Sequence, residues 1–124
     1  MVPKELKYTK EHEWVKSKAG EAVFGITSHA QSELGDITFV ELPDVGREVK
    51  MGESIATVES VKAASEVYAP ISGRIIAVNE ALLDTPEIIN ESPYEDGWIC
   101  RINVSDITEE AGLMDSAAYE KYVG

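Results

Sequence analysis

The chain has 124 residues, 44% hydrophobic and 27% charged, which is enough apolar content for one ordinary domain around a single core. Eleven basic residues stand against 23 acidic ones, a formal net charge of −12, so the basic footprint that nucleic acid requires is missing. No segment has the length of a membrane span, and the acidity serves either solubility or steering toward basic partner surfaces.

The opening MVPKELKYTKEHEW has neither an apolar signal core nor Arg-rich transit character. With Met1 and a single cysteine, which allows no internal disulfide, the chain reads as a protein of a prokaryotic cytoplasm. EWVKSK (13–18) and EAVFGIT (21–27) flank Ala19-Gly20 and predict a hairpin. SHAQSEL (28–34) is helix-compatible, with Thr27 or Ser28 as its cap and Gly35 just beyond its end. ITFVEL is a strand that stops at Pro43, and Gly46 and Gly52 bracket a short extended piece. SIATVES (54–60) climbs to Lys62, and SEVYAP and GRIIAVN descend from it, broken by Pro70 and Gly73. NEALLD is one helical turn, TPEIINESPYEDG a polar loop with two prolines, and WICRINV the last strand, in which Cys100 alternates with Trp98, Ile102 and Val104 as a core residue. The terminal SAAYEKYV, capped by Asp115, places Ala118, Tyr119, Tyr122 and Val123 on one face. The number of short strands predicts a mainly β sandwich or small barrel with short helices outside. GREV at 46–49 and GRII at 73–76 form a weak internal symmetry about Lys62.

The usual catalytic constellations are absent. There is no GxxxxGK[ST], no GxGxxG and no G-x-S-x-G, and His12 and His29 sit in no metal-ligand spacing. HEW at 12–14 taken alone reads as a rim carboxylate, Glu13, beside a core Trp14, and INESPYEDGW reads as structural. What remains is Lys62, at the crest of a hairpin among the small residues Ser60, Ala63, Ala64 and Ser65. No Gly, Asn or Pro occupies the crest, so the turn was not chosen for tightness alone. A Schiff-base lysine needs an apolar pocket or a second cation, whereas this one has Glu59 and Glu66 as neighbours. Lys62 therefore reads as a handle to be modified, held on a rigid element.

At these residues the sequence resembles the H-protein of the glycine cleavage system, a lipoyl carrier. The likeness runs through YTKEHEWV, FGITSHAQSELGDITFVELPDVG, VESVKAASEVYAPISG and VNEALLDTPEIINESPYEDGW. The segment with Gly52, Glu59, Ser60, Lys62, Pro70 and Gly73 is shared in outline by other lipoyl domains; HEW, AQ-x-x-LGDI and NESPYEDGW are particular to the H-protein type. Biotin carriers set methionines where Val61 and Ala63 stand.

The resemblance implies a barrel-sandwich hybrid of two antiparallel sheets with a C-terminal helix, in one domain over 1–124 with a lipoyl-binding core at about 22–104. It implies lipoate joined by an amide to Lys62, in a hairpin of Glu59, Ser60, Val61 and Ala63 read by a lipoate ligase or an octanoyl/lipoyl transferase. It further implies that the arm accepts an aminomethyl group from a pyridoxal-phosphate glycine decarboxylase and delivers it to a tetrahydrofolate-dependent aminomethyltransferase. A dihydrolipoamide dehydrogenase then reoxidises it. The chain would be a monomeric, non-catalytic carrier without metal, nucleic acid or membrane partners. His12, Glu13 and Glu66 would shelter the loaded arm, Glu13 by a charge-assisted hydrogen bond to its amine. Glu11 stands where some members have a small hydroxyl residue, and Glu66 replaces a frequent aspartate. Two rivals remain open at this point: an H-like carrier serving lipoate relay or sulfur metabolism, and an unmodified structural or binding β-domain.

Overall fold

The computed structural model describes residues 2–124. Nine strands form two antiparallel sheets, and no ladder joins one sheet to the other, so the described residues make a sandwich and not a closed barrel. The larger sheet contains β1 (Lys7–Tyr8), β2 (Glu13–Lys18), β3 (Glu21–Ile26), β9 (Cys100–Val104), β8 (Gly73–Val78) and β5 (Glu48–Val49), adjacent in that order. The smaller has β4 (Ile37–Glu41), β6 (Ser54–Ser60) and β7 (Ala64–Tyr68), with β6 in the middle. The two glycine-led segments noted in the sequence pair with each other, Glu48 opposite Arg74 and Val49 opposite Gly73.

Inward-facing residues of both sheets make one core, which includes Val15, Phe24, Val40, Val58, Val67, Ile75 and Ile102. Cys100 lies within it, and burial pushes its thiol up to about 12, so it is inert packing. A second cluster, of Leu6, Tyr8, Trp14 and Tyr119, lies where both ends of the chain meet the larger sheet. This explains why β2 departs from simple alternation at its start: Glu13, Trp14 and Val15 are all buried, because protein covers both faces there. Gly25 lies opposite Trp14, and a Cβ on it would sit 3.0 Å from the indole nitrogen, so the ring needs a glycine as its neighbour.

The helices follow the capping chemistry. In α1 (Ser28–Leu34) the Thr27 hydroxyl accepts from Ala30 N–H, and Gly35 at φ +82° ends the helix with its N–H on the Gln31 carbonyl. α2 (Ala81–Asp84) is the expected single turn. The segment expected to be a polar loop contains another, α3 (Ile88–Glu91), whose Ile89 is fully buried; a four-residue turn is too short for its periodicity to be read. The C-terminal α4 (Ser116–Val123) is capped by Asp115 as expected, but Tyr119 alone is buried, while Ala118 and Tyr122 are exposed. The helix docks chiefly through Tyr119, stacked on Tyr8 at 4.7 Å, with the half-buried Val123 packed against the same cluster. β1 and a 3-10 helix over Ile107–Gly112 also went unanticipated; both depend on long-range contacts, Tyr8 with Met114 and Glu109 with Ser72.

Candidate functional site: the Lys62 hairpin and the Glu13 cleft

The β6–β7 hairpin pairs Ser54 with Tyr68, shifts register once before Ala56, and then runs in register from Ala56 opposite Val67 to Glu59 opposite Ala64; its far end presents Lys62 to solvent. One side chain organises the tip. Ser60 Oγ accepts from the Lys62 and Ala63 N–H groups at 3.2 and 3.1 Å and donates to the Ala63 carbonyl, while Ser60 N–H also bonds that carbonyl at 2.8 Å. A serine turn thus replaces the Gly/Asn chemistry that the sequence lacks. Val61 is 69% exposed, and Glu59, Ala63, Ala64 and Ser65 are exposed as well, so nothing bulky stands over the amine.

The tip rests on another element. Val61 N–H donates to the Asp36 carbonyl at 3.2 Å, and a Cβ on Gly35 would lie 3.2 Å from Lys62 Cε. Gly35 therefore meets two demands, a positive φ and an unobstructed path for the lysine stem.

Glu13 lies elsewhere. It is 2% exposed, at the wall of a cleft of about 210 Å³ whose other lining includes Tyr8, Met51, Pro70, Leu113 and Met114. Thr9 Oγ1 donates to one carboxyl oxygen at 2.5 Å and Tyr68 N–H to the other at 3.1 Å. Burial outweighs these two bonds and pushes the carboxyl up from 4.5 to about 7. The reading of HEW as a rim carboxylate is corrected accordingly: β1 and the segment after the 3-10 helix cover what a lone β2–β3 hairpin would expose.

The three residues expected to shelter an arm are not gathered in one place. Glu66 is exposed and accepts from Ser54 and Thr57 hydroxyls at 2.5 and 2.8 Å, bonds that lower its pKa; it lines a separate cleft with Arg47 and Glu41. His12, at φ +70°, turns toward the helices, with Nδ1 2.8 Å from the Tyr119 hydroxyl and its ring 4.6 Å from His29. Burial first, and then His29, lowers its pKa. Among the described residues no group of three metal-ligating side chains occurs. A larger cavity of about 730 Å³ lies beside Glu48, Ser72 and Arg74 and is lined by neither Lys62 nor Glu13, so size does not locate this site. Sequence reasoning misses the Gly35–Asp36 support and the apolar wall of Leu113 and Met114, because the local pattern marks Gly35 only as a helix stop.

The site is thus an open lysine on a serine-ordered hairpin of the smaller of two antiparallel sheets. The model of the family described as Glycine cleavage H-protein matches residues 6–124. The chain belongs to that family. It is 54% identical over 122 residues to the glycine cleavage system H protein of Herpetosiphon aurantiacus, covering 98% of this chain and 93% of the relative. It is 58% identical over 120 residues to that of Cronobacter sakazakii, covering 96% and 93%. The crystal structure of a glycine cleavage system H protein from Mycobacterium marinum superposes with a TM-score of 0.91 at 37% identity, covering 99% of each chain. The H-protein fold expected from the sequence is therefore the fold observed. Among the described residues no helix is long and apolar enough to cross a membrane.

Proposed function

We propose that Lys62 of this H-protein is acylated with lipoate by a lipoate ligase or an octanoyl/lipoyl transferase. The chain then serves glycine cleavage as a non-catalytic carrier in a prokaryotic cytoplasm. The observation that bears most weight is Lys62 itself: exposed, on a tip ordered by Ser60, with neighbours that are small or exposed. These residues fit the group, because an enzyme's active site must close over the ε-amine and the tip offers it no obstruction. The carrying core is about residues 22–104, and the chain ends build the cleft that holds Glu13.

When bound, lipoate supplies a dithiolane that accepts the aminomethyl carbon and is afterwards reoxidised by dihydrolipoamide dehydrogenase. The partners on either side are the pyridoxal-phosphate glycine decarboxylase and the tetrahydrofolate-dependent aminomethyltransferase. Lys62 provides a tether; stem and acyl chain together reach about 14 Å at ordinary bond lengths. β7 runs from the tip to Tyr68, whose N–H meets Glu13. Six residue steps at about 3.3 Å make that path about 20 Å at most. That path is longer than the arm's reach, so Glu13 would hold a cationic amine only if the arm took a shorter route than the course of β7. An ammonium there would draw the carboxyl back toward its ionised form and release a proton. The apolar wall of Met51, Leu113 and Met114 would exclude water from the same place. Glu66 and His12 take part in that shelter only if the arm passes outside the Glu13 cleft.

Reconstitution tests the reading. Lipoylated protein, verified by intact mass, should support glycine–bicarbonate exchange with the decarboxylase. A chain that gains no lipoyl mass would be a plain binding domain, and a lipoylated chain inert with the decarboxylase would serve another lipoyl pathway.

A further inference from the structure

By composition INESPYEDGW reads as structural, yet Asn90 of α3 within it reaches the support beneath Lys62. Asn90 Oδ1 accepts from Ile37 N–H at 2.9 Å, and Nδ2 donates to the Gly35 carbonyl at 2.9 Å and to Gln31 Oε1 at 2.8 Å. Two of these partners are backbone groups of fixed character, so the orientation of the amide is determined. They flank Asp36, the residue whose carbonyl takes the Val61 N–H, and Gly35 lies against the Lys62 stem. Ile89, fully buried beside Asn90, anchors α3 in the core. A chain of direct contacts therefore runs from the core through Asn90 and the 35–37 turn to the hairpin tip.

We propose that Asn90 is a positioning residue for the Lys62 arm. It holds the Gly35–Asp36 shelf rigid, and the shelf sets the direction in which Nζ leaves the hairpin. Within the hairpin, the hydrogen bonds of Ser60 go to backbone groups of residues 62 and 63. The shelf meets the side chain, through Gly35 against the Lys62 stem. Gly35 has no side chain to restrain its own dihedral angles, and its positive φ makes an external clamp the means of keeping it in place. The proposal rests on the reading of Lys62 as the site of acylation. In that step Nζ bonds the lipoyl carboxyl carbon of an acyl-adenylate, AMP leaves, and one proton is released from nitrogen.

The test uses the full-length apo chain with a lipoate ligase, ATP and lipoate, followed by intact mass. Asn90→Ala should lower kcat for acylation about tenfold with KM for the apo chain within about twofold, because orientation and not docking is lost. Backbone hydrogen exchange gives a second readout: the Val61 amide, bonded to Asp36, should exchange faster, while the Ser60 amide, bonded inside the hairpin to Ala63, should not change. Gln31→Ala removes one partner of Asn90 and leaves both backbone bonds, so it should behave as wild type. If Asn90→Ala fails to fold, Asn90→Asp decides by the same measurements; it keeps the acceptor for Ile37 and lacks the donor to Gly35. Wild-type kcat in the folded Asn90 variants, or an equal loss in Gln31→Ala, overturns the positioning role. Failure of the wild-type chain to acquire lipoate overturns the carrier reading itself and this role with it.

Discussion

Glu13→Gln should remove a pH dependence of stability that the buried carboxyl imposes. In the folded chain this group titrates at about 7, against 4.5 when unburied. Between those values the folded state binds the extra proton, so its contribution to stability is complete below about pH 4.5 and is lost as pH rises through 7. The whole effect corresponds to about 3 kcal/mol, of which about 2 to 3 kcal/mol falls between pH 5 and pH 8. Glutamine is neutral throughout and can be accommodated: its oxygen accepts from Tyr68 N–H, and its amide donates to Thr9 Oγ1, which already accepts from the residue 13 N–H. Glu53 and Glu66 have lowered pKa values and His12 too titrates with a shift, but all three are present in both proteins and cancel in the comparison. Denaturant unfolding of wild type and variant at pH 5, 6, 7 and 8 measures the difference. The variant should gain on wild type by about 2 kcal/mol across that range, or roughly 6 to 10 °C in Tm. Parallel stability profiles would mean that Glu13 ionises as an ordinary surface carboxyl, and the account of a buried, half-protonated acid in the cleft would be wrong.

Lys62→Arg should fold with stability within about 0.5 kcal/mol of wild type, since the tip is exposed, and should gain no lipoyl mass and support no glycine–bicarbonate exchange. If the net charge of −12 steers docking, the decarboxylase's apparent KM for the lipoylated chain should rise with salt, because exposed charges are screened beyond about 8 Å at physiological ionic strength; a flat response would assign the acidity to solubility. Isolated aminomethyl-loaded Glu13→Gln, without transferase, should release ammonia and formaldehyde up to about ten- to a hundredfold faster than wild type, the range for losing one charge-assisted hydrogen bond of roughly 1.5–3 kcal/mol. Gly73→Ala should cost more than about 3 kcal/mol in denaturant unfolding, since the added Cβ would lie 2.2 Å from the Asn103 carbonyl oxygen.

The sequence by itself determined the features that depend on near neighbours. Ala19-Gly20 fixed the β2–β3 turn, Thr27 and Gly35 bounded α1, and Asp115 began α4, because turns and caps are made by side chains within three or four residues of the backbone groups they satisfy. Lys62 could be singled out for the same reason, since the small residues that keep it open adjoin it in the chain. Only the tertiary structure decided the state of Glu13: its burial comes from Tyr8, Tyr68, Leu113 and Met114, up to a hundred residues away, and burial is what raises its pKa. It also separated His12 and Glu66 from Glu13, because His12 turns to Tyr119 of α4 while Glu66 takes Ser54 and Thr57 of the neighbouring strand β6. Asn90 was illegible in a polar loop for a like reason. Its three partners belong to α1, the turn after it and the first residue of β4, more than fifty residues earlier, and no local pattern encodes a hydrogen bond across that interval.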